Sequence, residues 1–398
     1  MAVIIKNVNI VDYKTNCYGD VYVNNGVIED IGRDLEKTCE IIDGTGKVLM
    51  PGFVDLHCHF RDPGYTYKEN LETGSRAALA GGVSTVNLMA NTNPICSSME
   101  IFYQVMEKGK KLDLVNINQI VSITENMGGK SIEHLDKLTN EVKFISDDGV
   151  GVPSDQVMYN AMLKAKEKGI TIISHTETRE FSKIDMRLAE NLMTYRDIGL
   201  CEHTGAHLHL AHVSTKEAMR AIMDAKDRGA NVTCEVTPHH IALHNCNFRV
   251  NPPIREKEDV DFLIEAIKSG YVDCISTDHA PHTKEDKAKG APGMVGLETS
   301  FSICYEKLVK AGHISLSKLS EIMSKNPAEI MNSNCGRIEK GYRADLVLVD
   351  LEHDHCIDSQ EFLSMGKNTP FNGMKVSARV EKTMVKGIIK YDYKNMNI

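Results

Sequence analysis

Residues 50–61 read Met-Pro-Gly-Phe-Val-Asp-Leu-His-Cys-His-Phe-Arg. The apolar residues Phe53, Val54 and Leu56 mark a buried strand. Side chains alternate faces along a strand, so His57 and His59 point the same way. Two imidazoles held side by side can grip one divalent ion. Arg61 shares their parity and can aim a guanidinium at whatever the metal works on. Paired histidines also occur on ordinary surfaces and in cores, so a metal site needs further ligands from elsewhere in the chain.

Outward from this run, apolar β-rich segments alternate with helical ones from residue 52 to about 330, the pattern of a parallel sheet with crossover helices. The strand candidates are 53–59, 85–89, 113–123, 142–146, 171–175, 208–212, 232–236 and 274–277. Eight such strands can close into a (β/α)8 TIM-type barrel, with residues 51–334 as its expected extent. Residues 1–50 hold short β-like runs punctuated by Asn24-Asn-Gly and Asp43-Gly turns. After about 335 the chain returns to strands, as in Ala344-Asp-Leu-Val-Leu-Val-Asp. The expectation is a small composite β domain built from 1–50 and 335–398.

With 42% hydrophobic and 25% charged residues among 398, the chain has the composition of a soluble globular protein. A net charge of -9 argues against nucleic acid as a partner, because phosphate binding needs a concentrated basic face. The first ten residues resemble a strand, not a signal peptide, and no run reaches the length of a membrane span. The 11 cysteines are odd in number and lack CxxC pairs, which suits reduced thiols in a cytoplasmic setting.

The chemistry falls at the strand ends, where such barrels carry their active sites. The first strand ends in His57 and His59, and the fourth runs into Asp147-Asp148-Gly149. The fifth ends in His175, the sixth in His212 and the eighth in Asp278. Histidines and carboxylates gathered there suit two divalent ions with an activated water. Any one of these histidines alone is more often a packing residue.

The motifs Pro-Gly-Phe-Val-Asp-Leu-His-Cys-His-Phe-Arg, Met-Ala-Asn-Thr-Asn-Pro, Ser-Asp-Asp-Gly-Val-Gly-Val, Ser-His-Thr-Glu, Ala-His-Val-Ser-Thr, Glu-Val-Thr-Pro-His-His, Asn-Pro-Pro-Ile-Arg and Thr-Asp-His-Ala-Pro-His occur in this order. Together they closely resemble the class I bacterial dihydroorotases of the amidohydrolase superfamily. The resemblance implies that His57, His59 and Asp278 hold one zinc ion and that His175 and His212 hold a second. A strand-four residue bridges the two, with Asp148 the choice, Asp147 its neighbour and a carboxylated Lys143 the alternative. It further implies that Arg61, Asn91 and His282 bind a substrate carboxylate, that Asn251 and the backbone of Pro292-Gly293 meet the ring, and that His59 also touches substrate. Asp278 is the implied proton carrier of a reversible cyclic amide hydrolysis, the interconversion of N-carbamoyl-L-aspartate and L-dihydroorotate in pyrimidine synthesis. Candidate partners are a second copy of the chain, as a homodimer, and an aspartate transcarbamoylase. The competing readings are a hydantoinase or allantoinase, a noncatalytic homologue that supports a transcarbamoylase, and a deacetylase or dipeptidase on the same fold.

Other features carry blander expectations. His239, His240 and His209 are expected to be supporting or packing residues. Cys58 should face away from the metals. Gly149-Val-Gly-Val-Pro is expected to form a loop over the site, and Lys284–Lys289 a solvated charged loop.

Overall fold

The computed structural model describes residues 2–395. Five strands come first: β1 (Ala2–Val11), β2 (Asn16–Asn24), β3 (Val27–Gly32), β4 (Glu40–Asp43) and β5 (Val48–Pro51). Eight more follow: β6 (Phe53–Cys58), β7 (Val83–Leu88), β8 (Asn116–Gln119), β9 (Phe144–Ile145), β10 (Thr171–Ser174), β11 (Leu208–Leu210), β12 (Val232–Val236) and β13 (Cys274–Ile275). The chain closes with β14 (Leu346–Asp350), β15 (His355–Cys356), β16 (Lys375–Val376), β17 (Arg379–Val385) and β18 (Ile388–Asp392).

Strands β6 to β8 and β9 to β13 form two parallel runs, each in sequence order. Two seams join them into a ring. Val121 pairs with Ile145 beyond the end of β8, and Cys58 pairs with His279 beyond the end of β13, both parallel. His59 N donates to His279 O at 2.9 Å across the second seam. This is the expected eight-stranded barrel.

Helices cross over between the strands, among them α1 (Leu71–Ala80), α2 (Met99–Leu112), α3 (Asp155–Lys168), α4 (Met186–Thr204) and α5 (Lys216–Asp227). Their starts are written in the sequence. Asn70, Ser98, Ser154, Asp185 and Thr215 each accept a backbone N–H of the first turn through the side chain. Helix α5 buries Ala218, Met219, Ile222 and Ala225, a stripe at helical spacing that packs on the barrel.

Several barrel strands are shorter than expected. The run 113–123 yields only the ladder of β8, because Asp113 ends α2 in a left-handed conformation with φ 48°. The runs 142–146 and 274–277 pair over two residues each. Beyond those pairs the chain leaves the ladder to shape the site.

A second sheet runs in the order β18-β17-β14-β5-β1-β2-β3, with β4 on β1, and so joins both ends of the chain. Its alternation serves two cores. Leu346 and Leu348 pack with Val3, Ile5, Ile10 and Met384 on one face. Val347 and Val349 face the barrel core with Phe53 and Val380. Among the described residues no helix is long and apolar enough to cross a membrane.

Candidate active site

The strand ends converge on one carboxylate. Asp148 Oδ1 lies 3.3 Å from His57 Nε2, 3.3 Å from His175 Nδ1 and 3.8 Å from His212 Nε2. Its Oδ2 lies 3.4 Å from His59 Nε2. Asp278 Oδ1 sits 3.0 Å from His59 Nε2 and 3.6 Å from His57 Nε2. All six side chains are buried. His212 and Asp278 adopt φ 35° and 48°. Left-handed backbone at non-glycine residues is costly and is tolerated where surrounding structure dictates it, commonly at functional sites.

The donor atoms fit a divalent cation. His57, His59 and Asp278 form one cluster of ligand atoms mutually within 4.8 Å, and His57, Asp148 and His212 form another. His57 Nε2, Asp148 Oδ1 and His212 Nδ1 are buried without a hydrogen-bond partner. Buried polar atoms are rarely left so, and imidazole nitrogens with carboxylate oxygens are a common ligand set for zinc. Electrostatics agree. Burial disfavours charge on His57, yet the Asp148 and Glu235 carboxylates outweigh it and hold this imidazole well above its usual range. Burial likewise opposes protonation of His175, but Asp148 and Glu177 raise it to about 9. Against its own burial, the imidazoles hold Asp148 well below the carboxylate range. Asp278, opposed by burial in the same way, is held at about 2 by His59 and His57. The cluster is negative enough to retain protons on His57 and His175, and a metal ion would take their place.

The strand-four candidates separate cleanly. Asp147 turns away from the histidines to accept from Thr124 N at 3.0 Å and from the Thr124 hydroxyl. Lys143 Nζ donates to Met331 O at 2.8 Å, far along the chain from any of the histidines. Only Asp148 of the three stands among the imidazoles.

Three supporting carboxylates had no assigned role in the sequence. Glu235 Oε1 meets His57 Nδ1 at 2.7 Å, and its Oε2 meets His209 Nε2 at 3.2 Å. Glu177 Oε2 meets His175 Nε2 at 3.0 Å. Asp55 accepts from the backbone of His57 and of Thr277, tying β6 to the turn that carries Asp278. Glu235 and Glu177 lie inside recognisable motifs, but nothing in the sequence shows which carboxylates fold back onto which imidazoles. His209 is structural, held by Glu235 and by Thr233 Oγ1 at 2.9 Å. His240 bridges Thr237 Oγ1 and Pro252 O, and His239 packs against it. Cys58 faces away from the cluster, with Sγ 3.9 Å from Thr277 Oγ1.

A cavity of about 210 Å³ opens over the cluster and is lined by Arg61, Asn91, Asn251, His282, Pro292 and Gly293 with both aspartates and every cluster histidine but His57. A hollow of about 400 Å³ beside Glu306 and Lys310 is larger but shares none of these residues. Arg61 is half-buried, its Nη2 lies 3.4 Å from His282 Nε2, and its buried Nε has no hydrogen-bond partner. Asn91 Oδ1 lies 2.9 Å from His59 Nδ1, and its Nδ2 reaches Asp148 Oδ2 at 3.3 Å, so this amide braces two cluster residues at the cavity edge. The stretch 149–153 forms a turn in which Gly151 N donates to Asp147 O at 3.1 Å. The charged run 284–289 is solvated as expected at Lys284, Glu285 and Lys289, but it is not a loop. Residues Lys284–Ala288 form a helical turn. Lys287 Nζ donates to Arg249 O, Ala291 O and Gly293 O, holding the Pro292-Gly293 segment against the cavity.

Comparison with known proteins agrees with this geometry. The amidohydrolase family profile matches residues 48–389. The chain is 54% identical over 396 residues to a dihydroorotase of Clostridium botulinum, covering 98% of this chain and 100% of that one. It is 38% identical to a dihydroorotase of Acetivibrio thermocellus, covering 96% and 97%. Among solved structures, a dihydropyrimidinase from Brevibacillus agri superposes with a TM-score of 0.91 at 25% identity, covering 100% of this chain and 96% of that one. An L-hydantoinase from Arthrobacter aurescens superposes at 0.87 with 26% identity over 97% and 95%. The fold is thus shared across cyclic amidohydrolases, while sequence similarity is much higher to the dihydroorotases. The chain belongs to the amidohydrolase family and, within it, to the dihydroorotases.

Proposed function

We propose that this chain interconverts N-carbamoyl-L-aspartate and L-dihydroorotate, a step of de novo pyrimidine synthesis, using two zinc ions. The observation that carries the reading is the convergence of Arg61 and His282 on a cavity whose floor is the histidine–aspartate cluster. A cationic wall over a hydrolytic floor suits a small anionic ring. In this reading His57, His59 and Asp278 would hold one ion and His175 and His212 the other, with Asp148, which stands among all four imidazoles, contributing to both. When bound, the metal ions supply an acidified water as nucleophile and polarise the carbonyl it attacks.

The chain's own residues do the rest. Asp278, held near 2, is ionised at neutral pH. In ring opening it accepts a proton from the attacking water and returns it to the departing ring nitrogen; in ring closure it runs the same transfers in reverse. Arg61 offers its planar fork to the substrate carboxylate, and His282 adds a donor. Asn91 Nδ2 carries two N–H bonds and stands 3.3 Å from both Asp148 O and Asp148 Oδ2, so it meets substrate by turning one N–H from Asp148. Asn251 and the Pro292-Gly293 backbone face the ring edge, and His59 stands against both metal and substrate.

The reading also divides the chain into a barrel domain, 51–334, and a composite β domain of 1–50 with 335–398, which the sheet joining both chain ends supports. It includes a cytoplasmic setting, a homodimer and association with an aspartate transcarbamoylase, for which the resemblance to class I enzymes is the support. A hydantoinase activity is the second reading, favoured by the fold neighbours. The two are separated by assaying the purified chain on L-dihydroorotate and on hydantoin. Turnover of dihydroorotate with little of hydantoin is expected, because hydantoin leaves Arg61 without an anion. The reverse preference would replace the first reading with the second.

A further inference from the structure

Lys68 lies in the turn that follows Arg61: Tyr65 N donates to Arg61 O and Lys68 N to Tyr65 O, both at 2.9 Å. Its Nζ stands 3.4 Å from His282 Nδ1 and 3.2 Å from Asp286 Oδ2. On the opposite side of the imidazole, Arg61 Nη2 stands 3.4 Å from Nε2. Lysine and arginine nitrogens only donate, while a neutral imidazole has one N–H and one lone pair. Two donor-only cations therefore flank a ring with a single acceptor. Only one of the two contacts can be a hydrogen bond at a time.

The ring is neutral at pH 7: burial first, then the charges of Arg61 and Lys68, push His282 down to about 3. Arg61 Nε meanwhile has no partner inside the protein. An anion seated beside Arg61 and His282 Nε2 would resolve both conflicts. It would take the arginine's donors and leave the lone pair of Nδ1 to Lys68.

We propose that Lys68 sets the tautomer of His282: its ammonium takes the Nδ1 lone pair and so places the ring proton on Nε2. The incoming substrate carboxylate then meets N–H donors from both Arg61 and His282, with no imidazole lone pair facing it. Asp286 holds the ammonium in place behind the ring, and Lys68 does not line the cavity. It is a positioning residue that acts through His282 and favours acidic rings over neutral ones. The inference rests on the carboxylate-binding role given to Arg61 and His282 above.

The test compares Lys68→Met and Lys68→Arg in the zinc-loaded enzyme. Lys68→Met is expected to raise the KM for L-dihydroorotate about tenfold and to change kcat by less than about twofold, the pattern of lost substrate binding without lost chemistry. Lys68→Arg, which also only donates, should restore most of the KM. Nitrogen-15 NMR of the His282 ring, with orotate as the bound anion, reads the tautomer directly in the unaltered protein. The Nε2–H form is expected there and the Nδ1–H form in Lys68→Met. An Nδ1–H ring in the unaltered protein with orotate, an unchanged KM in Lys68→Met, or a fall in kcat alone would overturn the proposal. Absence of dihydroorotase activity in the unaltered protein would instead strike the substrate reading, and the ring tautomer with orotate would still decide the role of Lys68.

Discussion

Asp278 and Glu235 both touch the histidine cluster, yet their loss should look different. Asp278 is the proposed proton carrier and only one of the donors around the metals. Asp278→Asn should abolish turnover while substantial metal stays bound, as metal analysis of the purified variant would show; near-normal turnover would remove Asp278 from its role. Glu235 is buried and does not line the cavity. Its 2.7 Å contact fixes a proton on His57 Nδ1, so that Nε2, between Asp148 and Asp278, is the nitrogen left to bind metal once its own proton is displaced. Glu235→Gln should weaken metal binding by about 10–100-fold, the usual consequence of losing the carboxylate behind a metal-bound imidazole. Competition with a chelating dye would measure it. The proposed ligands were legible in the sequence because each closes an apolar run at a spacing that strands impose. Glu235 was not, since a buried acid whose partner lies 178 positions away leaves no local trace.

The loops after β6 and β7 carry Arg61 and Asn91, and they are fastened to one another. Asn93 N donates to Pro63 O at 3.1 Å. Gly64 sits at φ +94°, and a Cβ there would fall 1.9 Å from Asn93 O and 2.6 Å from Asn93 Cβ. Gly64→Ala must therefore push the loops apart. It should cost about 1–3 kcal/mol of stability, as overpacking commonly does, and raise the KM by displacing Arg61. A thermal melt and substrate titration of the variant check both, and an unchanged KM would mean that the fastening does not position Arg61. The order and number of barrel strands were readable, but their lengths were not. Ile120, Val121 and Ile123 continue an apolar run and are fully buried, yet β8 ends at Gln119. Val121 makes one further pair, with Ile145 across the seam, and Ile123 packs into the core after the backbone has left the ladder; hydrophobic pattern does not distinguish the two cases. Within the solvated charged run at 284–289 the exception is Lys287, whose ammonium donates to three backbone carbonyls that local charge pattern does not reveal.

For the molecule taken entire, the charge balance of the cluster ties metal, protons and stability together. His175, raised to about 9, is protonated at pH 7.5 in the chelator-stripped chain, and His57 is raised as well. Metal ligation needs neutral imidazole, so zinc loading in weak buffer should release protons, and zinc affinity should rise with pH up to about 9. The sign for stability follows. A raised histidine pKa stabilises the stripped chain fully below the unfolded value near 6.5, and this is lost as pH climbs through about 9. Asp278, lowered to about 2, stabilises above its unfolded value near 3.8 and loses that contribution as pH falls through about 2. The barrel and the two-ended sheet were both expected from the alternation of patterns along the chain, because apolar β runs recur between helical segments in one stretch and follow one another through turns in the other. The most direct measurement is to strip the purified chain of metal, add back zinc in steps, and follow the interconversion of L-dihydroorotate and N-carbamoyl-L-aspartate. Activity should be absent at the start and reach its full value at two equivalents of zinc. Full activity in the stripped chain, or none at any zinc level with both ions bound, would contradict the account.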